Sequence, residues 1–178
     1  RGTAVFGDKT IRCDVGQASA MTVAQLNPAG TPLQALRLGG GGDGGAGTVL
    51  VQDSGDLLVV GSVDGDAMLL RLDSTGRALW SRPWTSATNS STVAVDLATA
   101  ADGSTYFNAM LLGTVKIGTS TIVSRGDADA ILAKYDRAGE VVWLRQIGGR
   151  GTDQPFGPGV NAAGAVYTAG SFTMSLPL

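Results

Sequence analysis

Gly139-Glu-Val-Val-Trp-Leu-Arg-Gln-Ile-Gly-Gly149 lines up without gaps with Gly76-Arg-Ala-Leu-Trp-Ser-Arg-Pro-Trp-Thr-Ser86 and with Gly30-Thr-Pro-Leu-Gln-Ala-Leu-Arg-Leu-Gly-Gly40. A matching run precedes each: Ala130–Ala138, Ala67–Thr75 and Met21–Ala29. Asp136, Asp73 and Asn27 coincide, three residues before Gly139, Gly76 and Gly30. An Asx side chain bonds the backbone of a tight turn, and glycine accepts the positive φ that such a turn needs. Each run therefore reads as a hairpin.

A second hairpin recurs between these. Thr48–Gly61, Val93–Ala109 and Gly157–Gly170 match one another around Gly55, Gly103 and Gly164. Apolar residues alternate with a period of two, and no helical period of 3.6 runs through the chain. The first set of turn glycines is spaced by 46 and then 63 residues. The surplus is an additional hairpin, Gly113–Val123, which the middle unit lacks and the first unit has as Gly2–Ile11. Four short strands per unit of this length predict an all-β fold of antiparallel β-propeller blades, with about three units at 1–61, 62–112 and 113–178. An open β-solenoid-like stack is the alternative, although solenoid coils are usually about half as long. One blade buries neither face alone, so neighbours must cover it.

Composition narrows the function. Glycine accounts for 27 of 178 residues and charged residues for only 16%, which suits a turn-rich globular array. The net charge of −2 gives no basic surface for nucleic acid. No histidine is present, which removes every mechanism that needs imidazole. The single cysteine, Cys13, cannot form a disulfide within the chain. No apolar run is long enough for a membrane-spanning helix, so no membrane insertion is expected. Arg1-Gly2-Thr3 is not an initiator sequence, so the start is expected to lie inside a longer precursor or at a cleavage point.

Gly126-Asp-Ala-Asp-Ala-Ile-Leu-Ala-Lys-Tyr-Asp-Arg-Ala-Gly139, continuing through Trp143 to Gly148-Gly149, resembles the bacterial SBBP (β-propeller) repeat. Val160–Phe172 is similar to that family's second hairpin, and the resemblance covers nearly the whole chain. The first unit departs from it: Gln34 stands where Trp80 and Trp143 stand, and Ala20 where Asp66 and Asp129 stand. The resemblance implies a surface or secreted bacterial protein with tandem repeats and no common enzymatic activity. The extracellular space or cell surface is expected, with the periplasm as a further option. Related "D-x-x-G-x-x-x-W" blades occur in quinone-dependent dehydrogenases and their outer-membrane assembly relatives, which gives an alternative family.

Three units do not close a propeller of four to eight blades. Ser171–Leu178 aligns with Met110–Ile117, so the last unit stops in the segment where Gly2–Phe6 begins. The chain is expected to be a fragment of a larger protein, or a homo-oligomer in which copies complete one another. Its expected partners are another protein or further copies of itself.

Several residues could carry more specific roles. Asp64, Asp66, Asp127 and Asp129 place DxD at equivalent positions of two units and could supply part of a calcium site, although calcium takes six to eight oxygen ligands. The competing reading is that they cap turns; beyond calcium, no cofactor is expected. Trp84 stands outside the repeat and could form the platform of a carbohydrate-binding site. Trp80 and Trp143 recur and are expected to pack between blades, with Gly30, Gly76 and Gly139 as structural turn positions. Arg125-Gly126-Asp127 spells an adhesion tripeptide on a hairpin tip. No nucleophile with an attendant base can be assembled, and the chain reads as non-enzymatic. Gly39–Gly42 precedes no helix and reads as a linker between blades.

Overall fold

The computed structural model describes residues 3–12, 21–38, 44–63 and 65–173. Cys13, Ala20, Gly39–Gly42 and Asp64 lie outside the described residues, as does everything after Thr173.

Every strand pair is antiparallel. β1 (Thr3–Phe6) and β2 (Lys9–Arg12) form one hairpin, and β3 (Met21–Leu26) and β4 (Pro32–Leu38) another. β5 (Gly44–Val51), β6 (Leu57–Val63), β7 (Asp66–Leu72) and β8 (Ala78–Pro83) then meander as a four-stranded sheet in chain order. β9 (Thr85–Ser86) leads to a second four-stranded sheet of β10 (Ser91–Thr99), β11 (Thr105–Leu112), β14 (Asp129–Tyr135) and β15 (Val141–Ile147). Between β11 and β14, β12 (Thr114–Ile117) and β13 (Ser120–Val123) form the additional hairpin, and β9 pairs with β12. The last hairpin is β16 (Asp153–Val160) with β17 (Val166–Phe172). Among the described residues no helix occurs, and the fold is all-β.

Both hairpin types fall where the turn residues put them. Asp73 Oδ1 accepts the backbone N–H groups of Thr75 and Arg77, and Asp136 and Asn27 do the same for their own turns. Gly76 and Gly139 have φ of 85° and 81°, a left-handed conformation in which a side chain would be strained. The hydrogen-bonded sheets straddle the unit boundaries expected from sequence. β6 pairs with β7 across 61/62, and β11 pairs with β14 across 112/113.

The sheets stack in chain order. β3 touches β5 and β6, β10 touches β5 to β7, and β16 touches β10, β11 and β14. This explains the near-continuous apolar runs in β6 and β7: the β5–β8 sheet is covered on both faces. Leu58, Val60, Ala67 and Leu69 face one way, into a core with Leu97, Phe107, Ala109, Leu111 and Ile131 of the second sheet. Val59, Leu70 and Leu72 face the other way, against Met21 and Val23 of β3. Each of the valine, leucine, isoleucine, phenylalanine and methionine side chains among these contributes roughly 1.5–3 kcal/mol on burial, so the stacking of sheets holds the fold together.

Candidate functional site

One contact is made twice between successive sheets. Trp80 on β8 lies against Gly139, where a Cβ would come within 3.0 Å of the ring. Beside it, the Arg82 guanidinium donates to the carbonyls of Gly139 and Ala138 and pairs with Glu140 at 2.8 Å. One sheet earlier, Leu36 on β4 presses against Gly76 in the same way. Gln34 sits in the register position of Trp80, as the sequence indicated, but Leu36, two residues on, supplies the apolar contact that Gln34 does not. Trp80 and the turn glycine Gly139 thus meet between sheets, as do Leu36 and the turn glycine Gly76. Trp143 differs: its ring lies 5.9 Å from that of Tyr106 in its own sheet, with the Arg145 guanidinium over it. Gly30 turns the β3–β4 hairpin in open space.

Trp84 is not a binding platform. It is fully buried, its ring 4.8 Å from that of Phe107, and its Nε1–H donates to Tyr135 Oη at 2.7 Å. Burial pushes the Tyr135 hydroxyl up to about 12. The residue that falls outside the repeat in sequence is the largest buried side chain, wedged between the two four-stranded sheets where β8 gives way to β9.

The first strands of successive sheets meet at residues that the sequence did not single out. β5, β10 and β16 each break register, between Ala46 and Val49, Ala94 and Asp96, and Pro155 and Pro158. At these bulges Asp96 accepts a hydrogen bond from Thr48 Oγ1, and its other oxygen lies where a Cβ on Gly157 would be. Three strands thus meet at one carboxylate. The matched positions 48, 96 and 157 were legible as a repeat, but nothing in their residue types announced a shared contact. Asn108, fully buried on β11, similarly donates to the Phe156 carbonyl and to Thr168 Oγ1.

The four acids expected to contribute to a calcium site do other work where they are described. Asp66 Oδ1 accepts the Ser86 N–H, Asp129 Oδ2 accepts the Arg125 N–H and the Gln146 amide, and Asp127 is exposed. Among the described residues no three acidic, histidine or cysteine side chains are placed to hold a metal ion. Asp129 and Asp153 are buried, and each keeps one carboxylate oxygen without a hydrogen bond. In the Arg125-Gly126-Asp127 tripeptide both charged residues are exposed, and the backbone is held from two sides. Arg125 donates to the Gly148 carbonyl, and Gly126 packs directly against the backbone of Arg150.

Among the described residues, several surfaces are open to a partner, and two kinds are considered further. One is a cleft of about 520 Å³ beside the β12–β13 turn, lined by Arg82, Lys116, Ile117, Tyr135, Glu140 and Val141. The other is the grooves beside sheet edges. Among the described residues, β3 and β17 each pair on one side only, and a groove adjoins each edge. Along β3 the groove is about 450 Å³ and is lined by Val23, Leu26, Leu36, Val49, Val51 and Leu57. Along β17 it is about 190 Å³ and runs over Ala130 and Ile147.

No protein-family model matches the chain, and no curated protein matches it.

Proposed function

We propose that this chain is a non-catalytic scaffold of β-propeller blades of the SBBP type, which binds protein at the bacterial cell surface or outside the cell. The observation that carries this reading is the contact made twice between successive sheets, Leu36 on Gly76 and Trp80 on Gly139. Each four-stranded meander is read as a blade, whose turn glycine is covered by an apolar side chain of the preceding sheet. Its sheets present edge strands and apolar grooves, the features through which sheets take up protein partners by adding strands. The lectin-like alternative loses its named platform, because Trp84 is inside the core.

The test presents the purified chain to a glycan array and, in parallel, to an array of cell-surface proteins from the bacterium that makes it. Saturable binding to protein with no glycan retained is the expected result. Selective glycan binding, with no protein retained, overturns the scaffold reading in favour of a lectin.

A further inference from the structure

We propose that the cleft between β8, the β12–β13 turn and the β14–β15 turn binds a small organic monocarboxylate. Lys116 takes the carboxylate, and Pro83, Ile117 and Val141 take the apolar body of the ligand. The site goes beyond the scaffold reading and does not depend on it.

The additional hairpin builds the cleft. It stands outside the four-stranded meander, yet Val115 and Ile117 of β12 are buried in the main core and anchor it there. Its turn glycine, Gly118, lies against the start of β15, where a Cβ would meet the Val141 side chain at 3.6 Å. The β1–β2 hairpin seats its turn in the same way: Gly7 lies against Pro32, at the place on β4 that matches Val141. The wall that the hairpin supplies is thus held by packing before any ligand arrives, as the walls of most binding sites are. The volume of about 520 Å³ falls within the range of small-molecule sites.

Charge selects the ligand. Arg82, Lys116 and Glu140 are the charged residues of the lining. Arg82 is spent on the cleft itself: it pairs with Glu140 at 2.8 Å and donates to the carbonyls of Ser81, Ala138 and Gly139. Lys116 is exposed, and its ammonium makes no hydrogen bond or ion pair among the described residues. One positive charge is therefore left uncompensated, which suits a monoanion better than a phosphate dianion.

Unused donors surround that charge. Thr85 on β9 and Thr121 on β13 stand directly opposite Lys116 on its two neighbouring strands, so the three side chains share one face. The hydroxyls of Thr85 and Thr119 line the cleft and make no hydrogen bond among the described residues. Tyr135, the buried aromatic of the lining, accepts the Trp84 N–H through its hydroxyl, whose own proton has no acceptor among the described residues. A carboxylate accepts several hydrogen bonds and donates none, which matches this surplus of donors.

The test titrates the isotope-labelled chain with hexanoate, hexanamide and hexylammonium and follows backbone amide shifts by NMR. Hexanoate is expected to shift the amides of Lys116, Gly118 and Glu140 and to saturate. Hexanamide and hexylammonium are expected to need at least about tenfold higher concentration, since a hydrogen bond to a charged group is the stronger kind. Lys116→Gln is expected to weaken hexanoate binding by about tenfold or more, and Lys116→Arg to retain it. Because Lys116 is exposed, both variants should keep the native amide shifts of β5 to β7. Shifts that never saturate or that lie elsewhere, equal binding of hexanoate and hexanamide, or unchanged binding by Lys116→Gln each overturn the site. Capture of protein or glycan on the arrays bears on the scaffold reading alone, so the two can fail separately.

Discussion

Trp84 and Tyr135 are joined by a buried hydrogen bond of 2.7 Å, Nε1–H to Oη, which ties the end of one four-stranded sheet to the third strand of the next. The two side chains lie in a single apolar cluster, so the bond is the polar fastening of an otherwise hydrophobic seam. Tyr135→Phe keeps the ring but leaves the indole N–H without an acceptor, and is expected to cost about 1–3 kcal/mol. Trp84→Ala removes the largest wedge in the core and is expected to cost about 3–5 kcal/mol. Urea unfolding of the two variants measures both costs. Equal costs would show that the bond, rather than the packing, dominates the seam.

The same tyrosine makes the fold sensitive to alkali. Burial raises its hydroxyl to about 12, partly offset by the Trp84 hydrogen bond and the nearby Arg82, whereas an unfolded tyrosine titrates near 10. Between those values the unfolded chain releases this proton and the folded chain retains it. The contribution is therefore fully present below pH 10 and is lost as pH rises toward 12, by up to roughly 2–3 kcal/mol. Denaturation midpoints measured from pH 9 to 12 should fall more steeply for the native chain than for Tyr135→Phe.

Gly139 has two reasons to be glycine, and they can be separated. Its φ of 81° strains any side chain by about 1–2 kcal/mol, and the Trp80 ring occupies the space a Cβ would take. Gly139→Ala is expected to destabilise by more than the backbone strain alone. Combining it with Trp80→Ala should recover the excess, giving a favourable coupling in a double-mutant cycle. Gly30→Ala, where the φ is 80° and the space is open, should show the backbone cost only.

The turn acids predict resistance to acid. Asp73 is held down to about 2, first by the Thr75 hydroxyl and then by the Arg77 backbone N–H. Its contribution is present above the unfolded value near 3.9 and is lost as pH falls through about 2. Carboxyl titration by NMR should find Asp73 still ionised at pH 3. In Thr75→Ala its midpoint should move up toward the ordinary aspartate value.

Much of the strand order was legible in the sequence because turns are local. Asn27, Asp73 and Asp136, each followed three residues later by glycine, form the hairpins that their chemistry dictates. The contacts between sheets were less legible, because they depend on which side chain reaches across a gap. Leu36 replaces the missing tryptophan of the first unit from two positions further along, which no gapless alignment reveals. Trp84 was misread for a related reason. Standing outside the repeat made it resemble a surface feature, but β9 turns the chain so that its ring closes the core against Phe107. Asp129 was legible as an acid that could accept backbone N–H groups, as it does from Arg125, but its bond from the Gln146 amide was not, since that partner comes from a neighbouring strand.

Asn108 should hold the last hairpin to the rest of the stack. It is fully buried, and its amide donates at 2.6 Å to the Phe156 carbonyl on β16 and at 3.0 Å to Thr168 Oγ1 on β17. At the equivalent position on β6 stands Val60, an apolar residue in the main core, so the amide is an addition specific to this junction. Asn108→Ala removes both hydrogen bonds and leaves the Phe156 carbonyl and Thr168 hydroxyl without that partner, a cost of about 1–3 kcal/mol. Because the bonds act at one junction, the loss should appear as local opening rather than global unfolding. Hydrogen exchange should show amides of β16 and β17 losing protection by tenfold or more, with those of β6 and β7 unchanged. Uniform loss across all four strands would mean instead that the stack opens as one cooperative unit.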